Sequence, residues 1–198
     1  TMAIVILVAV LATRNLKEVP TGWQNAIEAV ADLWETQVKA LIGEGGVFLV
    51  PLFLTLFLYL TVANWLGLCP GMESPTNDIN TTLGMAVFMS FFVNHAVGLM
   101  KQGAGHLHHF IEPFAPFIIV NLIEELSRPA SLAFRLFGNI LAGEVLIIII
   151  LELVPGAINW LPSTPWIIFS LFVGVIQAYI FTMLSITYIA PSARTHGE

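Results

Sequence analysis

Leu132-Ala133-Phe134-Arg135-Leu136-Phe137-Gly138-Asn139-Ile140 sets an arginine inside an apolar run, 130–151, that is 22 residues long. Wound as an α-helix, roughly 20 such residues cross the ~30 Å hydrocarbon core of a bilayer. An arginine near the centre of that helix costs about 2.5–3.5 kcal/mol to insert, so its presence marks function. Three more runs repeat the pattern without any Asp, Glu, Lys or Arg: 47–68 with 22 residues, 83–100 with 18 and 166–190 with 25. The whole chain agrees, with 57% hydrophobic residues, 10% charged and a mean hydropathy of +0.87. It reads as an all-α polytopic membrane protein, a single membrane domain over 1–198.

Working outward, the expected elements are the end of a first membrane helix over 1–15, an amphipathic surface helix over 21–42, membrane helices over 47–68 and 80–100, a long helical region over 114–151 and a last helix over 166–190. That makes about five membrane helices plus one on the surface. The stretch 2–12 is apolar but has no basic segment before it and no small-x-small site after it, so it reads as a helix end rather than a signal peptide. Apart from Arg135, the basic residues Arg14, Lys17, Lys39, Lys101, Arg128 and Arg194 all fall on one side if 2–12 crosses inward, and that side is the cytoplasm. The outer segments 67–80 and 152–165 carry no Lys or Arg, and Trp65, Trp160 and Trp166 flank them as interfacial aromatics do. The single Cys69 forms no internal disulfide.

In 23–41, Trp23, Ala26, Ile27, Val30, Leu33, Trp34, Val38 and Leu41 share one helical face, opposite Gln24, Glu28, Asp32, Glu35 and Lys39. Thr21 with Gln24 suggests a capping box, and Glu35 with Lys39 an i,i+4 ion pair. Such a helix lies on the membrane surface, against a partner subunit, or on its own chain.

The chemistry gathers in the last two long helices. Glu124, Arg128, Ser131, Arg135 and Asn139 are spaced four, three, four and four, one polar stripe that must face water or another protein. Glu144, nine residues past Arg135, points to the opposite side about 13 Å further along. Ser170, Gly174, Gln177, Phe181 and Ser185 repeat the spacing in the final helix. The prolines and glycine at 155, 156, 162 and 165 break the chain between the two, so they form an antiparallel hairpin that lets Gln177 approach Arg135. Gly138, Ala142, Gly143, Gly174 and Ala178 are small enough for close helix packing. A guanidinium holds its proton at every physiological pH, so Arg135 acts as a barrier to cations or a clamp for an anion. Carboxylates do exchange protons, which suits Glu144 to a relay, with Glu124, Glu125 and Asp78 within reach of water from either side. Two aqueous half-paths separated by one fixed cation follow from that arrangement.

The stretch from Ser127-Arg128-Pro129 through Phe134-Arg135-Leu136-Phe137-Gly138-Asn139 to Ala142-Gly143-Glu144 resembles the signature of subunit a of F-type ATP synthase. Pro20-Thr21-Gly22-Trp23-Gln24-Asn25, Pro75-Thr76-Asn77-Asp78-Ile79-Asn80-Thr81-Thr82 and Ile176-Gln177-Ala178-Tyr179-Ile180-Phe181 match in the same order. The resemblance implies a proton-translocating stator subunit whose last two helices form a long tilted hairpin against a c-subunit ring. By the same resemblance Arg135 faces the ring carboxylate and prevents a proton short circuit. Asn139, Glu144 and Gln177 belong to the outer half-channel, Asp78 and Asn80 to its mouth, and Glu124 and Ser131 to the inner path. Where some relatives pair the Glu144 position with a histidine or acid, this chain has Ser170, so the outer path uses water or other side chains. The partners implied are the c ring, b-type peripheral stalk subunits, the rest of the ATP synthase and the lipid bilayer. A bacterial plasma membrane is preferred over a thylakoid.

The competing function is a secondary transporter with Arg135 as anion clamp, which predicts internal repeats or two broken helices, and neither is visible. His106, His108 and His109 sit among glycines with no cysteine nearby and read as a solvated loop rather than a metal site. Asn94 and His95 read as a packed polar pair. With no phosphate loop or nucleophile triad, the chain is not an enzyme on its own, and neither a cofactor nor a nucleic-acid partner is expected.

Overall fold

The computed structural model describes residues 1–13, 22–68, 74–102, 117–154, 156 and 158–193, and among these every regular element is helical. The expectations placed on Arg14, Lys17, Thr21, Cys69, Arg194 and the histidine cluster lie outside the described residues. Helices α1 (Met2–Thr13) and α2 (Trp23–Leu41) lead to a 3-10 turn at Glu44–Leu49 and α3 (Val50–Leu66). A second 3-10 turn, Pro75–Asn77, precedes α4 (Ile79–Val87), a π-helical segment Phe88–Val93 and α5 (Asn94–Gln102). The chain closes with α6 (Phe117–Leu153) and α7 (Trp160–Ala193).

Four segments are long and apolar enough to cross a membrane: Glu44–Leu66, Ile79–Met100, Ile123–Leu153 and Trp160–Ala193. Helix α1 is as apolar, but its 12 residues rise only ~18 Å, short of the ~30 Å core. Helices α6 and α7 have the opposite surplus. Their 37 and 34 residues rise about 55 and 51 Å, so both lean or project beyond the hydrocarbon. The turn between them is tighter than the sequence suggests, because α7 starts at Trp160 rather than Trp166. Pro162 falls in the first turn, where backbone N–H groups have no helical acceptor and proline removes nothing.

Helix α3 lies at the centre. Its Phe53, Leu56 and Leu60 are buried with Trp34 and Val38 of α2 and with Ala178, Phe181, Ile186 and Ile189 of α7. The Trp34 ring sits 5.3 Å from Phe57 and 5.5 Å from Tyr179, so α2 packs on its own chain in the angle between α3 and α7. Its apolar face is narrower than expected, since Leu33 and Ala26 are exposed. Gln24, expected on the polar face, is buried and donates to Glu28 at 2.8 Å, while the cap position falls on Gly22 with no side-chain cap bond. Lys39 pairs with Glu35 at 2.9 Å as expected, and also with Glu44 at 3.6 Å. Its hydrogen bond to Glu35, then the charge of both carboxylates, holds the ammonium above the usual lysine range. Between those acids Gly43 takes φ 98, a left-handed turn into the 3-10 segment that disfavours any residue with a Cβ.

Helices α3 and α7 cross closely because Gly174 lacks a side chain: a Cβ there would lie 3.2 Å from Asn64 Cβ. Asn64 Nδ2 donates to the Gly174 carbonyl at 2.8 Å and Trp65 Nε1 to the Leu171 carbonyl at 3.2 Å. The small residues therefore divide in two. Gly174 and Ala178 serve internal packing, whereas Gly138 and Ala142 are exposed on α6. Interhelical hydrogen bonds in membranes contribute about 0.6–2 kcal/mol each, and Asn64 also accepts from Thr76 at 3.2 Å. Asn64→Leu is expected to destabilise the chain by about 1–3 kcal/mol, read as an earlier unfolding midpoint in mixed micelles with rising SDS fraction; an unchanged midpoint would contradict the clamp.

Candidate functional site

One face of α6 is packed and the other is open. Leu132, Ala133 and Leu136 are buried, mainly against the α4 side of the bundle, while Ser131, Phe134, Arg135, Gly138 and Leu141 are exposed. Beyond Ile140 no residue of α6 through Leu153 is buried. Arg135 has no ion pair among the described residues and is exposed on the open side. Five N–H donors on such a surface call for an anion from outside this chain.

The inner ends of α6 and α7 meet at Arg128, whose guanidinium carbon lies 5.5 Å above the Tyr188 ring. Gly143 meets Trp166 further out, and Arg135 and Gln177 both fall near the middle of the stretch between these two contacts. Gln177 is buried, with its Nε2 lacking a hydrogen-bond partner among the described residues. Ser185 uses its hydroxyl on the Phe181 carbonyl at 2.9 Å.

Towards the outer end, α3, α6 and α7 enclose a cleft of about 60 Å³ lined by Asn64, Gly67, Asn139, Glu144, Ser170 and Gly174, among others. At ~15 Å³ per water the volume holds roughly four waters, and its polar lining supplies their partners. Trp166 Nε1 donates to the Gly143 carbonyl at 3.2 Å and ties α7 to α6 there. Asn139, Glu144 and Ser170, three residues singled out from sequence, meet in this one cleft.

Glu144 is held by a residue that sequence reasoning passed over. Asn77 Nδ2 donates to Glu144 Oε2 at 2.5 Å, and a Cβ at Gly67 would stand 3.1 Å from Glu144 Oε1. The turn carrying Asn77 is itself fastened: Ser74 Oγ donates to the Ala63 carbonyl at 2.9 Å and lies 2.6 Å from Thr76 Oγ1, which donates to Asn64. The neighbouring Asp78 is the N-cap of α4. It accepts from the Asn80 backbone N–H at 3.0 Å and from Asn80 Nδ2 at 3.1 Å, and both side chains are exposed. A polar amide beside a capping aspartate was the available signal for Asn77, but nothing local says that it turns 67 residues away.

At the other end, Arg128 Nη2 meets Glu124 Oε1 at 2.6 Å and Arg128 Nη1 meets Glu125 Oε2 at 3.7 Å. Glu124 is the open carboxylate, its side chain 60% exposed against 12% for Glu125. Ser131 is exposed on the stripe between this pair and Arg135. Asn94 and His95 do not form a pair: His95 Nδ1 lies 2.8 Å from the Phe91 carbonyl with its ring over Phe91, while Asn94 is buried.

Comparison with known proteins then finds the family described as ATP synthase A chain, whose profile matches residues 1–190. A curated relative, ATP synthase subunit a of Desulforamulus reducens, is 43% identical over an alignment that covers all of this chain and 78% of the relative. If the cleft is wet, cysteines replacing Asn139 or Ser170 in a Cys69→Ser background react with a water-soluble thiol reagent, while those replacing Leu132 or Leu136 do not. Equal labelling at all four positions would contradict the geometry.

Proposed function

This chain belongs to the ATP synthase A chain family, and we propose that it lines two offset half-channels to and from the carboxylates of a c-subunit ring, with Arg135 as the barrier between them. As a family member it is a non-catalytic, multi-pass membrane subunit of the proton-translocating sector. The observation that carries the finer reading is the open face of α6: Ser131, Phe134, Arg135, Gly138, Leu141 and Ala142 are exposed along one side, while Leu132, Ala133 and Leu136 are buried on the other. A stationary helix beside moving ring helices needs such an uncovered surface, and Gly138 and Ala142 keep it shallow.

The division of labour follows from charge. A ring carboxylate arriving opposite Arg135 is favoured as an anion and releases its proton to the inner path, where Ser131 and Glu124 lead to water. Moving past Arg135, it takes a proton from the outer path through Gln177, Asn139 and Glu144, with Ser170 on the cleft wall and Asp78 and Asn80 at the mouth. Neutralised, it can face lipid, and rotation follows. Glu144 lies nine residues beyond Arg135 and Glu124 eleven before it, roughly 13 and 16 Å along the axis, so the guanidinium stands between the two ends. Each charge driven across is worth about 2.3 kcal/mol per 100 mV, which a leak around Arg135 would dissipate. The c ring, b-type peripheral stalk subunits and the rest of the synthase are the partners, in the plasma membrane of a bacterium.

In vesicles carrying the whole complex, Arg135→Ala is expected to abolish ATP-driven proton pumping at normal assembly and to raise passive proton leak. Pumping at the wild-type rate would overturn the barrier role and favour an anion-clamping transporter.

A further inference from the structure

We propose that Asn77 is the positioning residue of the outer path: its amide serves Glu144 in both protonation states. This rests on the proton-path reading of Glu144 given above. Three observations carry it. Asn77 Nδ2 donates to Glu144 Oε2 at 2.5 Å, a polar contact that joins the outer turn to α6. Asn77 Oδ1 is buried and lacks a hydrogen-bond partner among the described residues, an acceptor held ready beside a carboxyl group. The turn beneath it is anchored on α3 by Ser74 and Thr76 and, through Asn64, on the Gly174 carbonyl of α7, so the amide is presented by a rigid support.

An ionised carboxylate only accepts hydrogen bonds, whereas a carboxylic acid also donates one. A partner with a donor alone or an acceptor alone matches one state and leaves a buried polar atom unpaired in the other, at a cost of ~1–3 kcal/mol. The side-chain amide has both. With Glu144 ionised, Nδ2–H donates to it; with Glu144 protonated, rotation of the amide about Cβ–Cγ lets Oδ1 accept the acid's O–H. The proton itself passes between Glu144 and cleft water, and Asn77 neither gains nor loses one. Asn64 and Gly67 from α3, Asn139 and Gly143 on α6, and Ser170 and Trp166 from α7 line the same cleft as Glu144. Asp78, next in sequence, is turned to Asn80 and Thr81.

The test compares Asn77→Ala, Asn77→Ser and Glu144→Gln in the assembled complex, reading ATP-driven proton pumping per complex in vesicles. Serine and alanine are close in size, but the hydroxyl can donate or accept through one bridging water. The inference predicts pumping several-fold below wild type for Asn77→Ala, substantial recovery for Asn77→Ser, and loss for Glu144→Gln. Equal defects in the alanine and serine variants would make Asn77 merely structural and overturn the inference, as would wild-type pumping by Asn77→Ala beside a dead Glu144→Gln. Wild-type pumping by Glu144→Gln would instead overturn the outer-path reading, and the role of Asn77 with it.

Discussion

A guanidinium that keeps its proton at every physiological pH cannot rest unpaired in hydrocarbon, and the arrangement of α6 is organised around that fact. The bundle leaves Arg135 uncovered instead of neutralising it internally. Leu132, Ala133 and Leu136 seat the helix on the rest of the chain, while the face with Ser131, Arg135 and Gly138 stays open. Had Glu144 lain four residues from Arg135 rather than nine, an internal salt bridge would have removed the charge from play. The nine-residue offset sends Glu144 to the other side, where Asn77 holds it.

Separation of the two ends is then a matter of which elements grip α6 and where. On the outer side the turn 74–78 ties α3, α6 and α7 through short polar contacts and leaves a cleft large enough for several waters. On the inner side Arg128 engages Glu124 and Glu125 and rests on the Tyr188 ring, joining α6 to α7 without closing over Glu124. Between them, Leu136 of α6 and Ala178 and Phe181 of α7 are fully buried and offer water nothing. Polar ends and an apolar waist fit the proposed pair of offset half-channels.

Much of this was legible in the sequence, because a bilayer imposes simple rules. Four charge-poor runs of about 20 residues have one reading, and the three- and four-residue spacings around Arg135 and Gln177 place those residues on helix faces without knowledge of neighbours. Helix length at the hairpin was less legible, since Pro162 stops a helix in mid-run yet fits its first turn. The faces of α2 were misjudged at Leu33 and Gln24, where periodicity gives the direction of a side chain but not which neighbouring helix arrives. Asn77 was invisible for the same reason: its partner lies 67 positions away, and only the folded turn brings them together. Which of Glu124 and Glu125 is open also depended on packing that local spacing leaves undetermined.

The central claim is that the uncovered face of α6 is the face that meets the ring. Its most direct test is disulfide cross-linking in the assembled complex, with Cys69→Ser, a cysteine at Gly138 or Leu141, and a second cysteine beside the ring carboxylate. The account predicts cross-linked a–c product from both positions and none from a cysteine at Leu136. Product from Leu136 with none from Gly138 or Leu141 would contradict it.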